Sequence, residues 1–156
     1  MGYARLRHGR TSLVLDAAPP PASASETAHA STLALEITAG SVPLIVNCGP
    51  GGRYGPRWGR AARATASHST LALDGFSSSR FGRDGRHMTE AVRHVGIRVE
   101  DTEDGTRLTA GHDGYASTHG LRHERTVELA RDGRRIRGED TLAAHDTAAR
   151  RRFGRR

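Results

Sequence analysis

The sequence predicts an all-β fold, an antiparallel sandwich of about nine to ten short strands. Three observations carry that expectation. Apolar residues recur with a period of two along most of the chain. Val, Ile and Leu are gathered in short blocks rather than long stripes. Turn residues separate the blocks, including Asp104-Gly105 and Asp132-Gly133 between alternating runs, a strong hairpin cue. The length of 156 residues suits one domain. Residues 1–145 are expected to form the sandwich and 146–156 a basic tail without order.

Residues 3–7 and 11–16 are two such runs joined by His8-Gly9-Arg10, which reads as a hairpin. Residues 17–27 are rich in Pro, Ala and Ser and lack periodicity, so they form a loop. Residues 31–38 (STLALEIT) alternate Leu33, Leu35 and Ile37 against Thr32, Ala34 and Glu36, the pattern of a half-buried strand. Ala39-Gly40-Ser41 turns the chain into 42–48 (VPLIVNC), which is nearly all apolar, as expected of a strand covered on both faces. Residues 48–66 are Gly- and Arg-rich; a segment of that length in a compact domain is usually functional or without order. Strand signal returns at 69–73 and ends at Asp74-Gly75, and 76–88 are polar and irregular. Two further hairpins pair 91–100 with 107–111 and 121–130 with 134–142. No segment reads as a convincing helix, and no repeat of fixed period is present.

Composition narrows the function classes. Hydrophobic residues make up 35% and aromatics 4%, a lean core. All 24 basic residues are arginine, and Asn47 is the one asparagine, a skew expected of a GC-rich genome. The net charge of +7 favours an anionic partner, and an acidic polysaccharide qualifies as well as DNA does. Aromatic content is too low for a base-stacking platform and no nucleic-acid motif is present, which argues against a nucleic-acid binder. No apolar run reaches membrane-spanning length, and no signal peptide is visible at the start of the chain. Cys48 stands alone, so no internal disulfide forms; it reads as a packed, inert thiol.

Three polar residues fall at the ends of expected strands. His29 closes the first loop, Asn47 ends the apolar strand, and His68 closes the long segment. Sites are assembled at such places because the scaffold fixes the loop ends. Two imidazoles and an oxygen donor also make up three ligands of a zinc-like ion. The competing reading is that His29 and His68 cap strand ends or face solvent. Asn47 is then a hydrogen-bonded structural link, because a buried amide must be satisfied.

Residues 28–37 (AHASTLALEI) resemble the heparinase II/III pattern His-x-Asp-x-Leu-Ser-Phe-x-Leu. Residues 43–49 (PLIVNCG) resemble that family's Pro-Leu-Leu-Val-Asp-x-Gly, and 63–75 (RATASHSTLALDG) its Arg-x-Thr-x-x-His-Asn-Thr-Val-x-Val-Asp-Gly. His112-Asp113-Gly114-Tyr115, 121–129 (LRHERTVEL) and Arg137-Gly138-Glu139-Asp140 resemble the later strands of the same domain, in the family's order. The resemblance implies a β-sandwich domain of a polysaccharide lyase that cleaves uronic-acid polysaccharides, glycosaminoglycans among them, by β-elimination. It implies that His29, Asn47 and His68 fall on a zinc site. It also implies that a helical N-terminal toroid carries much of the machinery, so that this chain is a fragment, inactive alone, of a periplasmic or cell-envelope enzyme.

Two departures bear on the metal. Ser31 and Asn47 stand where the pattern has Asp, and a neutral amide is a poorer ligand than a carboxylate. The triad is therefore expected either to hold a structural zinc or to be held by hydrogen bonds without an ion. For catalysis the resemblance points to Tyr54 and His68 in proton transfer, and to Arg63 and Tyr54 in substrate contact, Arg63 through its planar fork. The competing readings are a packed loop aromatic for Tyr54, a loop anchor for Trp58 and solvated cations for Arg53, Arg57 and Arg60. His112, Tyr115 and His123 read as framework; His8, His87, His94, His119 and His145 read as exposed. The alternative for the whole chain is a sandwich without catalysis that binds carbohydrate or packs on a partner.

Overall fold

A computed structural model of the chain describes residues 2–21, 26–73 and 75–153. The fold is all-β, and the strands pair antiparallel. Strands β1 (Tyr3–His8), β2 (Thr11–Asp16), β3 (Leu35–Ala39) and β4 (Val42–Ile45) form one sheet in that order. A short ribbon pairs β5 (Arg80–Phe81) with β6 (Met88–Glu90). Strands β7 (Val95–Thr102), β8 (Gly105–His112), β9 (Leu121–Ala130) and β10 (Ile136–Ala144) form the second sheet in the order β10-β9-β8-β7.

Alternation decides which faces meet. On β2 every second residue is buried, Thr11, Leu13 and Leu15; on β9 it is Leu121, His123, Arg125, Val127 and Leu129. Leu6, Leu13, Leu15, Leu33 and Ile37 from the first sheet and its flank pack with Leu108, Ala110, Val127 and Leu129 from the second. Each fully buried leucine contributes roughly 2 kcal/mol of transfer free energy. At one end the sheets are tied directly: the Thr11 hydroxyl donates to the Gly133 carbonyl at 2.6 Å, and His8 Nε2 meets the Thr106 hydroxyl at 2.8 Å. That approach needs glycine, since a Cβ at Gly133 (φ 68°) would lie 2.1 Å from the His8 carbonyl oxygen.

Several expectations are corrected. Strand β3 begins only at Leu35; Leu33 is buried in a turn with φ 65°, a conformation rare for a branched side chain. Strand β4 is exposed along its whole length, with Val42 at 56% and Leu44 at 58%, rather than covered on both faces. It is the edge strand, where Pro43 is tolerated because no ladder needs its missing N–H. The long segment is ordered: a 3-10 turn (Gly52–Tyr54), helix α1 (Pro56–Ala62) and a second 3-10 turn (Thr65–Ser67) fill it. Pro56 opens α1 at the first turn, where its lost N–H has no partner to miss.

Residues 69–73 make no strand beyond a Leu73–Phe76 bridge, and Asp74 lies outside the described residues. Helix α2 (Ala116–His119) links β8 to β9 and ends on left-handed Gly120. The tail, expected without order, carries helix α3 (Thr147–Phe153); residues 154–156 lie outside the described residues. Cys48 and Trp58 are exposed rather than packed. No helix among the described residues is long and apolar enough to cross a membrane.

Candidate functional site

A cavity of about 610 Å³ opens beside the ends of β2 and β3, and His29, Asn47, His68 and Ser31 all line it. Residues 39 apart in sequence meet there: His29 Nδ1 lies 3.0 Å from His68 Nε2, the rings edge-on at 83°. The segments that carry them are laced together. Arg63 Nε donates to the Ala28 carbonyl at 2.7 Å, the Thr65 hydroxyl to the Ala30 carbonyl at 2.8 Å, and the Ala30 N–H to the Arg63 carbonyl at 2.8 Å. Both carbonyls flanking His29 are thus held by the segment that leads to His68.

The tautomer of His68 follows from its partners. Its Nδ1 faces the Ala64 carbonyl at 2.8 Å, which only accepts, so Nδ1 carries the proton. In the neutral ring Nε2 is then the acceptor, and the His29 Nδ1–H donates to it. Burial lowers the pKa of His29, helped by the charges of His68 and Arg63 and opposed by the Ala62 carbonyl. A carboxylate shares the cavity. Asp16, at the end of β2, accepts from the Ser31 hydroxyl at 2.6 Å. Burial pushes its pKa up, against the Ser31 and Ala18 hydrogen bonds and the charge of His68. The sequence offered no signal for Asp16 beyond its place at a strand end.

Asn47 reaches the groove but acts as a clamp. Its Oδ1 accepts the Ser69 N–H at 2.8 Å, while Nδ2 donates to Glu36 Oε1 at 3.3 Å and to the Leu35 carbonyl at 3.4 Å. An aspartate could not make the last two bonds and would repel Glu36. For zinc, the two imidazole nitrogens are close to the roughly 3.3 Å expected of two nitrogens on one tetrahedral ion. The third donor does not fit: the Asn47 oxygen is engaged and uncharged. Among the described residues no three His, Cys, Asp or Glu side chains form a group placed to hold an ion.

The remaining candidates lie apart. Tyr54 sits on the 3-10 turn, 63% exposed, with the Arg53 guanidinium 4.8 Å from its ring centre, and it is not among the described residues lining the cavity. Arg63 anchors Ala28 and stacks on Phe81 at 4.5 Å.

Behind the site runs a second, buried polar chain. The Gly114 N–H donates to His112 Nδ1 at 3.0 Å; His112 Nε2 lies 3.2 Å from His123 Nδ1; His123 Nε2 lies 2.7 Å from Asp140. Because Gly114 only donates, each ring has one permitted tautomer, with the proton on Nε2. Burial pushes the His112 pKa down to about 3, with the neighbouring His123 and Arg125 acting in the same direction against Asp113. Arg125 grips Asp140 with two bonds of 2.8 Å and also reaches the Leu33 and Ser69 carbonyls at 2.7 and 2.6 Å. Burial opposes the Asp140 charge, but bonds from His123 and Arg125 outweigh it and hold that carboxyl far below its usual range. The Tyr115 hydroxyl donates to the Leu71 carbonyl at 2.7 Å, and burial pushes its pKa up to about 12 against a Thr65 hydrogen bond. His112, Tyr115 and His123 are framework in this geometry. Arg125 and Asp140 had not been singled out from the sequence.

No curated protein and no solved structure matches the chain. One family model does match, the heparinase II/III-like C-terminal domain, over residues 1–154. That span takes in both sheets, the cavity and the buried network, and the chain therefore belongs to the heparinase II/III-like family, as its C-terminal domain.

Proposed function

We propose that this domain forms one wall of a lyase cleft that cleaves an acidic, uronate-containing polysaccharide by β-elimination. An N-terminal toroid supplies the other wall, the chain is inactive without it, and the enzyme works in the periplasm or cell envelope. The observation that carries this reading is the His29–His68 pair, half-buried in a cavity, with one ring nitrogen of His68 fixed by a carbonyl. In β-elimination a base removes the proton next to the carboxylate and an acid protonates the leaving glycosidic oxygen. In this reading the pair transfers the proton as a unit: His29 takes it at its other ring nitrogen while its Nδ1 proton passes to His68 Nε2, and His68 Nδ1 stays bonded to the Ala64 carbonyl.

The aci-carboxylate formed in the hard step needs positive charge nearby. The described lining of the cavity holds Asp16 and Glu36 and no arginine. The cations then come from Arg63, which stands outside the described lining but whose charge reaches His29, and from the opposite wall, and Tyr54 contacts substrate from outside the cavity. No step passes through a metal.

The test mixes the chain with a separately produced toroid domain and follows unsaturated-uronate absorbance near neutral pH. Release is expected from the mixture and not from the chain alone. His68→Ala should lower the rate by roughly 10²–10⁴, the range for a lost proton-transfer group. No release from the mixture, or an unchanged rate in His68→Ala, would refute the reading.

A further inference from the structure

We propose that Arg125, oriented by Asp140, is a positioning residue that sets His29 and His68 at hydrogen-bonding separation. The geometric part stands by itself; its catalytic consequence rests on the lyase reading above. Arg125 lies on β9, in the sheet opposite β2 and β3, with a side chain only 10% exposed. Its Nη1 group donates to two carbonyls from different segments. Leu33 lies four residues after His29, and Ser69 directly follows His68.

Both of those residues are held from a second side. The Leu33 N–H donates to the Asp16 carbonyl at 2.8 Å, and the Ser69 N–H to Asn47 Oδ1 at 2.8 Å. A third link closes the set, from the Thr70 hydroxyl to the Thr32 carbonyl at 3.2 Å. Leu33 keeps a positive φ of 65° although it is fully buried. Such a conformation persists only where the surroundings over-determine it. The Arg125 bond to its carbonyl is part of that determination.

Asp140 fixes the guanidinium plane. Its two oxygens take Nε and one terminal nitrogen, so the other terminal nitrogen points at the two carbonyls. Lysine has one ammonium and no fork, so it cannot serve both sides at once.

The experiment uses imidazole nitrogen-15 NMR on the 156-residue chain. The readout is the coupling across the His29–His68 hydrogen bond. In Arg125→Lys that coupling should vanish while the chain still unfolds cooperatively and strand amide signals keep their positions. Asp140→Asn is the second variant, should Arg125→Lys not fold, and should weaken the coupling. Val127→Ala is the control; it removes core volume beside Arg125 without touching the carbonyls, and the coupling should survive it. Coupling retained in both folded polar variants, or lost equally in Val127→Ala, would overturn the proposal. In the mixture with the toroid, Arg125→Lys should lower kcat about tenfold with KM nearly unchanged. If no variant or wild type releases product but the coupling pattern holds, the lyase reading fails and the positioning role stands.

Discussion

His29–His68 and His112–His123 are both edge-on imidazole pairs, with ring centroids 5.2 and 5.0 Å apart and interplanar angles of 83° and 85°. Their surroundings differ. The first pair lines a cavity and is half-buried; the second is 1% exposed at each residue. The first ends in the Ala64 carbonyl on His68, while its His29 end, which also meets the Ala62 carbonyl, lines the cavity. The second is closed at both ends, by the Gly114 N–H and by the Asp140 carboxylate. Gly114 is required there, since a Cβ would lie 2.4 Å from the Ser78 carbonyl oxygen and 3.1 Å from His112 Nδ1. Identical pair geometry therefore says little about function. Access and the nature of the terminal partners separate a pair that can exchange a proton from one that is locked.

The largest expected effect belongs to the locked pair and is a dependence on pH. Folding depresses the His112 pKa from its ordinary 6.5 to about 3. Between those values the unfolded chain binds a proton that the native chain excludes, so stability is lost as pH falls through that window. The slope should approach about 1.4 kcal/mol per pH unit, on the order of 4 kcal/mol over the window. Urea denaturation at several pH values measures it, and His112→Gln should flatten the curve. An unchanged slope in that variant would show that His112 is not the buried neutral group.

Next is Arg125→Ala. It leaves the Asp140 charge with His123 alone and takes one donor from each of two carbonyls, and should cost about 3 kcal/mol at neutral pH. Some of that is recovered by solvent, since Asp140 keeps 30% of its side-chain exposure. A loss under 1 kcal/mol by denaturant titration would mean that the network matters little to either pair.

Smaller still is Asn47→Asp in metal-free buffer. Two donated hydrogen bonds are lost and Glu36 is brought against a like charge, for about 1 kcal/mol. The same substitution supplies the anionic ligand that the zinc reading lacks. Added zinc should therefore raise Tm more in Asn47→Asp than in the wild type. An equal rise in both would mean that Asn47 takes no part in any zinc site.

How much of this the sequence disclosed depends on the range of each interaction. The convergence of His29, Asn47 and His68 was legible because each ends an ordered local block. The two long hairpins were legible because Asp-Gly turns fix their register. The exposure of β4 was not: an apolar run shows that a strand is hydrophobic, but edge or centre is settled only by which strands lie beside it. The Arg125–Asp140 pair was also missed, although a cue existed. His123 and Arg125 fall in phase with Leu121, Val127 and Leu129, and His112 in phase with Leu108 and Ala110. A charged or titratable residue in phase with a core stripe must be satisfied internally. Helix α1 was not legible because seven residues with Gly55 at the cap and Gly59 at the centre give no readable helical period.

The most direct test of the comparison is an NMR titration of the four imidazoles with an acidic uronate oligosaccharide. The His29 and His68 nitrogen signals should move with ligand concentration while those of His112 and His123 stay fixed. Signals of His29 and His68 that do not respond, with changes confined to the buried pair or to the exposed arginine surface, would contradict a functional role for the open pair.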